Sequence, residues 1–207
     1  MPYDIHTIKS AKLSWQGRAL ILAWDYQSVG NDRYICVFRQ SNNNSYYPVN
    51  LIDLRNDMRG TYRIKMDDEN SVRKQKFFVY STPHSGTPDN IDALAAQYNE
   101  CVMKVVTGFS TVNYKIISRK LDGIQRIKFC INSSSWVEGG ILGYSYTIDG
   151  KRFFKEELPD AINIGENNTE EFLLPLKCQP KLIQLGGKNI NFSIQYKKQS
   201  ILTREIF

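Results

Sequence analysis

Three dipeptides that favour tight turns lie between runs of alternating apolar and polar residues. They are Asp122-Gly123, Asp149-Gly150 and Gly186-Gly187. A two-residue hairpin loop needs positive φ at its centre, and glycine adopts positive φ without a steric penalty. Each dipeptide therefore predicts a β-hairpin, and together they predict an antiparallel, all-β protein.

The composition is that of a folded protein rich in strands. The chain has 207 residues, which is enough for one large domain or two domains of about 100 residues each. Aromatic residues make up 12% of the sequence, and flat rings pack well on a pleated sheet. The net charge of +6 is spread along the chain rather than clustered, so nucleic acid is a disfavoured partner.

Short strands are predicted throughout the first 82 residues. Alternation places Leu20, Leu22 and Trp24 on one face of a strand. After a polar stretch, residues 33–40 form a second such run, in which Tyr34, Cys36 and Phe38 fall on one side. A loop with three consecutive asparagines then precedes a short strand over residues 46–54.

Residues 5–82 resemble a fibronectin type III domain in the spacing of two motifs. Trp24 precedes Tyr34-Ile35-Cys36-Val37-Phe38-Arg39, as a core Trp precedes Tyr-x-Val-x-x-Arg in that family. Met58-Arg59-Gly60-Thr61-Tyr62 is similar to the family's Leu-x-Pro-Gly-Thr-x-Tyr, but it lacks the Pro and one residue before the Tyr. The resemblance implies a sandwich of two antiparallel sheets, with Tyr62 as a corner residue whose hydroxyl bonds to backbone.

One segment changes from strand periodicity to helical periodicity. Pro83-His84-Ser85-Gly86-Thr87-Pro88 interrupts the strands and is a candidate linker. In the following segment, Pro88–Asn99, the apolar residues recur at i, i+3, i+4 and i+7, which predicts a short helix capped by Thr87 or Asp89. The apolar face consists of Ile91, Leu94, Ala95 and Tyr98.

Strand periodicity returns after the helix and continues for about 100 residues. About seven short strands separated by turn residues are typical of an Ig-like sandwich, although no motif connects this half to a named family. We therefore predict two tandem β-sandwich domains. The expected divisions are 1–83 for the fibronectin-like domain, 84–100 for the linker and helix, and 101–207 for the second sandwich.

The four cysteines lie far apart and include no Cys-x-x-Cys pair. They are Cys36, Cys101, Cys130 and Cys178. Zinc sites need ligands at short spacing, so this spacing does not indicate one. Cys36 and Cys130 are expected to act as small buried hydrophobic residues in a reducing compartment. Disulfides are the alternative if the chain is exported.

Catalytic signatures are missing from the sequence. The two histidines, His6 and His84, are expected to be exposed and incidental. No nucleophile-elbow, phosphate-binding or dinucleotide motif is present. Asp67-Asp68-Glu69-Asn70 is expected to be a solvated turn rather than a calcium site. The sequence thus predicts a non-enzymatic protein without cofactor or metal.

Five residues are candidates for binding. Tyr46 and Tyr47 follow the asparagine-rich loop, Trp136 lies beside a serine-rich turn, and Arg152 and Phe153 belong to a basic, aromatic stretch. Rings and arginines at loop ends and strand edges are typical of interaction surfaces. The same residues also fit a structural role, in which each ring covers the end of its own core.

The predicted function is a non-catalytic interaction or adaptor module that binds a protein through strand edges or loop ends. The alternative is a carbohydrate-binding or accessory module of a secreted or surface protein. No run of residues is apolar and long enough to cross a membrane, and the N-terminus does not have the form of a secretory signal. The chain as given is expected in the cytoplasm, or outside the cell if it is a processed fragment.

Overall fold

A computed structural model describes residues 4–6, 8–56, 59–66, 71–121, 124–148, 152–157, 164–166, 169–173, 182–187 and 190–194. The chain divides into two compact units, one of Met1–Asp67 with Gln75–Val105 and one of Asp68–Lys74 with Val106–Phe207. The first unit contains β1 (Ala11–Gln16), β2 (Ala19–Trp24), α1 (Tyr26–Val29), β3 (Tyr34–Gln40), β4 (Tyr46–Asp53), β5 (Thr61–Ile64), most of β6 (Ser71–Thr82), α2 (Ile91–Gln97), a 3-10 turn (Asn99–Cys101) and most of β7 (Val102–Thr107). The second contains β8 (Ser110–Leu121), β9 (Ile124–Ser133), β10 (Trp136–Val137), β11 (Leu142–Ile148), β12 (Arg152–Glu157), β13 (Thr169–Leu173), β14 (Leu182–Gly187) and β15 (Ile190–Ile194).

Two sheets form the first unit. β1, β2 and β5 make a three-stranded antiparallel sheet in that order. The second sheet has the order β4-β3-β6-β7, with β3 antiparallel to both of its neighbours. This division of seven strands, 1-2-5 against 4-3-6-7, is that of a fibronectin type III sandwich. The predicted all-β class and fibronectin-like arrangement are therefore confirmed.

The core between these sheets follows the alternation seen in the sequence. Leu20, Leu22 and Trp24 are all buried, which confirms that they share the inner face of β2. From the other sheet, the core receives residues of β3, β4 and β6. The buried members of this cluster are Ile8, Leu13, Leu20, Leu22, Trp24, Val29, Ile35, Val37, Ile52, Ile64, Phe77 and Val79.

The second face of the β4-β3-β6-β7 sheet is also covered. Five consecutive residues of β3, Tyr34 to Phe38, are buried, whereas a sheet open on one face would alternate. The cover comes from α2, the 3-10 turn and the N-terminal segment, which supply Ile91, Ala95, Cys101 and Ile5. On the sheet they meet Tyr34, Cys36, Phe38, Phe78 and Tyr80.

The helix occurs where the periodicity predicts it, but it is shorter. It covers Ile91–Gln97 rather than Pro88–Asn99, and its N-cap is Asn90 instead of Thr87 or Asp89. The Asn90 carboxamide oxygen accepts a hydrogen bond from the Ala93 N–H at 3.0 Å. Asparagine suits this position because its side chain satisfies a backbone donor that has no partner within the first turn.

The corner role implied for Tyr62 falls to another tyrosine. Thr61 and Tyr62 begin β5, which pairs with β2 in the three-stranded sheet. At this bend the Gly60 N–H donates to the Tyr26 hydroxyl at 3.1 Å, and the Trp24 N–H donates to the Gly60 carbonyl at 2.8 Å. Gly60 has φ +65°, a conformation that glycine adopts readily.

Two of the three predicted hairpins are present. β8 and β9 pair up to Leu121 and Ile124, which leaves only Asp122-Gly123 between them. β11 and β12 pair up to Ile148 and Arg152, so the loop that contains Asp149-Gly150 has three residues rather than two. These loop residues themselves lie outside the described part of the chain.

The third predicted hairpin is wrong. Gly186-Gly187 lies inside β14, where Gly186 pairs with Gly143 and Gly187 pairs with Leu142. β15 joins the other sheet, parallel to β8. Both glycines therefore pair as strand residues at the end of β14, and they do not form the predicted turn.

The second unit contains one sheet of three described strands and one of four. One has the order β12-β11-β14, and the other has the order β13-β9-β8-β15. β10 also pairs in parallel with the first residues of β6, through Trp136 with Ser71 and Val137 with Val72. The second half is thus all-β as predicted, but its last described strand pairs in parallel rather than within a hairpin.

No disulfide joins the three cysteines that the structure describes. Cys36 and Cys101 are buried, and Cys130 is half-buried. Burial raises the pKa of the Cys36 thiol to about 11, partly offset by a hydrogen bond with Tyr80. Cys36 thus behaves as the small buried residue that its strand position predicts. Cys178 lies outside the described residues.

Candidate functional site

β4 is an edge strand with exposed apolar side chains. Among the described strands it pairs only with β3, so its outer side has no strand partner. Tyr47 is 36% exposed and Leu51 is 51% exposed. Of the large hydrophobic residues that the structure describes, only Tyr26 is exposed besides these two. We call Tyr47, Pro48 and Leu51, with Arg39 beside them, the β4 edge surface.

The two apolar residues of this surface project on opposite faces of β4. Leu51 lies opposite Cys36 in the register and therefore shares its face. Tyr47 lies opposite Arg39, which points to the other side because it follows Phe38 on an alternating strand. A molecule that approaches the edge of β4 would therefore meet one apolar side chain above the strand and one below it.

Arg39 holds the ring of Tyr47 in place. Its guanidinium carbon lies 5.1 Å from the centroid of the Tyr47 ring. The Arg39 Nε also donates a hydrogen bond to the Tyr47 hydroxyl. A cation–π contact at an exposed site contributes about 0.5–1 kcal/mol. Both contacts favour one orientation of the Tyr47 ring.

Pro48 and a bulge interrupt the backbone of the same edge. The register shifts between Val37 and Phe38, and Pro48 has no N–H to donate. The Asn50 side chain is also engaged, because its oxygen accepts the Lys65 N–H at 3.3 Å. Proline and bulges protect sheet edges from uncontrolled strand pairing. The backbone of this edge therefore offers an interrupted ladder of hydrogen bonds, and its side chains are the continuous feature.

Tyr46 begins β4 and is one of the residues that line a groove beside α2. Its ring packs edge-on against Phe78 with 6.0 Å between centroids. Its N–H donates to the Asp92 carboxylate at 3.0 Å. Burial raises the pKa of the Tyr46 hydroxyl, and the charge of Asp92 adds to this effect. The hydroxyl therefore keeps its proton at neutral pH and can donate a hydrogen bond.

The groove beside α2 has a volume of about 270 Å³. Its lining is polar, with two lysines and a carboxylate. The residues that matter below are Gln40, Tyr46, Lys76, Asp92, Asn99 and Lys104. We call this cavity the α2 groove.

Trp136 lies in the second unit, where it begins β10. It is half-buried, and the guanidinium carbon of Arg73 lies 4.8 Å from the centroid of its ring. Next to it, the Lys74 N–H donates to a Glu138 carboxylate oxygen at 2.7 Å. These contacts fit the structural alternative for Trp136, in which the ring covers its own unit. Its binding role stays a prediction.

Arg152 and Phe153 are also placed in the second unit. They begin β12 and pair with Ile148 and Thr147 of β11. Their side chains fall outside the described part of the structure, so a binding role stays a prediction for both. Of the five candidate residues, Tyr46 and Tyr47 are consecutive residues of β4, and the other three belong to the second unit.

His6 is exposed as predicted, but it is engaged rather than incidental. Its Nδ1 lies 2.8 Å from an Asp32 carboxylate oxygen. Its backbone exchanges hydrogen bonds with Ser81, with N–O distances of 2.9 and 3.1 Å. The residue thus attaches the N-terminal segment to β6 beside a cleft of about 650 Å³ that also contains Val29. The described residues contain no group of three or more potential metal ligands.

Several residues of the two surfaces had no signal in the sequence. Arg39 and Leu51 become notable only because β4 lies at an edge, and edges depend on long-range strand order. Lys76, Asp92 and Lys104 come from β6, α2 and β7. Each follows an ordinary alternating or helical pattern, and only the fold brings them together.

Comparisons with known proteins add little to this geometry. The sequence matches no family model. A search of curated proteins finds no match. Among solved structures, the chain is similar to the chicken interferon gamma receptor alpha chain, with 10% sequence identity, coverage of 89% of this chain and 90% of that chain, and a TM-score of 0.28. A superposition this loose carries no argument about function. No described helix is long and apolar enough to cross a membrane.

Proposed function

We propose that this protein is a non-catalytic interaction module that binds a protein partner through the β4 edge surface. The observation that carries the proposal is the pair of exposed residues, Tyr47 and Leu51, on an edge strand without an outer neighbour among the described strands. Full burial of a wholly exposed apolar side chain contributes about 1.5–3 kcal/mol, and these two would add the part that corresponds to their exposed fractions. With an arginine beside the ring, they form the core of a small interface.

The chemistry of the surface favours a protein over a sugar. Tyrosine and arginine are the residues that most often dominate binding energy in protein interfaces, and Arg39 and Tyr47 are already held together. A sugar ring stacks on an open aromatic face. Leu51 offers no such face, and Tyr46 is packed edge-on against Phe78. A carbohydrate-binding role would therefore depend on Tyr47 alone.

Capture of partners by matched variants tests the proposal. The full chain, Tyr47→Ala, Leu51→Asp and the control Lys12→Asp, an exposed position on β1, are each immobilised and exposed to an extract of the native source. After cross-linking, bound proteins are identified by mass spectrometry. We expect one specific protein whose dissociation constant rises at least about tenfold for both edge variants and stays unchanged for Lys12→Asp.

Two outcomes would overturn the proposal. A partner retained equally by both edge variants would place the interface elsewhere. Saturable glycan binding that is lost in Tyr47→Ala but retained in Leu51→Asp would support the carbohydrate alternative instead.

A further inference from the structure

The floor of the α2 groove carries two lysines on neighbouring strands. Phe78 of β6 and Val102 of β7 pack in the cluster under α2. Because side chains alternate along a strand, Lys76 and Lys104 share the faces of these two residues and point to the same side of the sheet. β6 and β7 are paired, and adjacent strands lie about 4.8 Å apart. The two ammonium groups are thus available to a single ligand.

The charge of this groove comes from its two lysines and one carboxylate. Both are exposed, and among the ion pairs of the described residues neither lysine takes part. Asp92 is the acidic residue in the lining, and one of its oxygens already accepts the Tyr46 N–H. The lining therefore has an excess of one positive charge.

We propose that the α2 groove binds a carboxylate side chain from an acidic, extended segment of a protein partner. This inference rests on the proposed function, because Tyr46, which lines the groove, directly precedes Tyr47 of the β4 edge surface. Lys76 and Lys104 supply the charge. Neutral donors for the remaining lone pairs of the carboxylate are the Tyr46 hydroxyl, the Asn99 amide and the one Gln40 N–H that is not donated to the Asn44 carbonyl.

The charge balance favours an acidic peptide over a polyanion. A sulfated glycan or a nucleic acid carries a charge on nearly every unit, and it would meet Asp92 in the groove wall. Ala95, Ala96 and Val102 make the remaining lining small and apolar, which suits the backbone and short side chains of a peptide. A single carboxylate matches the single excess positive charge.

Binding of a defined peptide tests the groove without the natural partner. The probe is a short fluorescein-labelled peptide of alternating valine and glutamate, and the matched probe has glutamine in place of glutamate. Anisotropy of the full chain with each peptide gives the dissociation constants. We expect the glutamate peptide to bind, and we expect Lys76→Gln and Lys104→Gln each to weaken it about tenfold, with a loss of affinity at high salt.

Two further variants sharpen this test. Asp92→Asn keeps an oxygen that can accept the Tyr46 N–H but removes the negative charge, so it should tighten binding severalfold. Lys12→Gln removes a surface lysine on β1 and should change nothing beyond the general effect of net charge.

Three results would overturn the proposal. They are equal binding of the glutamine peptide, equal weakening by Lys12→Gln, and tighter lysine-dependent binding of a heparin oligosaccharide. The last result would assign the groove to a polyanion. Leu51→Asp separates this proposal from the proposed function, because it should abolish partner capture but leave peptide binding in the groove intact.

Discussion

Gly108 is the residue whose substitution the structure resists most clearly. It has φ +76°, and a Cβ at this position would lie 2.0 Å from the Ser71 carbonyl oxygen. Positive φ alone costs an ordinary residue about 1–2 kcal/mol, and the overlap with backbone adds to this. We expect Gly108→Ala to lower the free energy of unfolding by about 3–5 kcal/mol. Circular dichroism should then show a lower thermal midpoint, by about 2–4 °C for each kcal/mol.

Gly17 provides the control for this substitution. It has φ +60°, but no atom lies within 4 Å of the point that a Cβ would occupy there. Gly17→Ala should therefore cost only the backbone strain, about 1–2 kcal/mol. Equal losses for the two variants would mean that Ser71 does not constrain Gly108.

Cys36 should make stability depend on pH in the alkaline range. Its thiol has a pKa of about 11 in the folded chain, against 9.0 when exposed. A raised pKa favours the protonated, folded form, so this contribution is complete below pH 9 and is lost as the pH rises to 11. The loss amounts to about 2–3 kcal/mol.

Urea unfolding of the wild type and Cys36→Ala across this pH range measures the effect. Contributions that the two proteins share cancel in the comparison, so only the difference in slope reports on Cys36. Parallel pH profiles for the two proteins would contradict the assignment.

Single residues were the part of the site that the sequence predicted least well. Tyr46 and Tyr47 were chosen because aromatic residues follow a loop, and they do lie together at an edge. The same reasoning selected Trp136, which is half-buried against Arg73. Local composition cannot distinguish these cases, because the difference lies in which distant residue packs on the ring.

Among the elements, α2 depends on its cap because it is short. A helix of seven residues is too short to be stable alone, so its first turn relies on Asn90 and on packing. Asn90→Ala should cost about 1 kcal/mol, whereas Asn90→Ser should be nearly neutral. Hydrogen exchange should become faster at the amides of Leu94 and Tyr98, which bond to Asn90 and Leu94. Faster exchange in β2 as well would indicate global destabilisation instead.

Strands and turns could be predicted where the signal is local. The β8–β9 hairpin was predictable because Asp122-Gly123 and its flanking alternation lie within about 20 residues. Gly186-Gly187 has the same local signature, yet it pairs inside β14 with Leu142 and Gly143. Whether a glycine pair forms a turn or pairs with another strand depends on residues far away in the sequence. The parallel pairing of β15 with β8 was unpredictable for the same reason.

At the scale of the whole molecule, the limits of the first domain can be tested with fragments. A fragment of residues 1–83 lacks α2, the 3-10 turn and β7, and would expose Phe78 and Tyr80. A fragment of residues 1–105 retains this cover. We expect the longer fragment to be monomeric in size-exclusion chromatography and the shorter one to aggregate or to bind a hydrophobic dye. A well-behaved fragment of residues 1–83 would support the predicted boundary.

The sandwich class was accessible from the sequence because it follows from a two-residue period repeated many times. The sequence places Tyr34, Cys36 and Phe38 on one side of β3, but it does not identify α2, the 3-10 turn and the N-terminal segment as the cover of that side. The intervening Ile35 and Val37 are equally apolar, so β3 resembles a strand buried on both faces.

That double burial links distant positions in any relative of this chain. A relative that retains the helix over the sheet must keep small or aromatic apolar side chains at the positions of Tyr34, Cys36 and Phe38. A relative that has lost the helix would need hydrophilic side chains at all three positions. These would have to be acquired nearly together, because a relative with only one or two of them would expose an apolar sheet face to water. Joint variation of these positions with the presence of the helix would be the evolutionary trace of this arrangement.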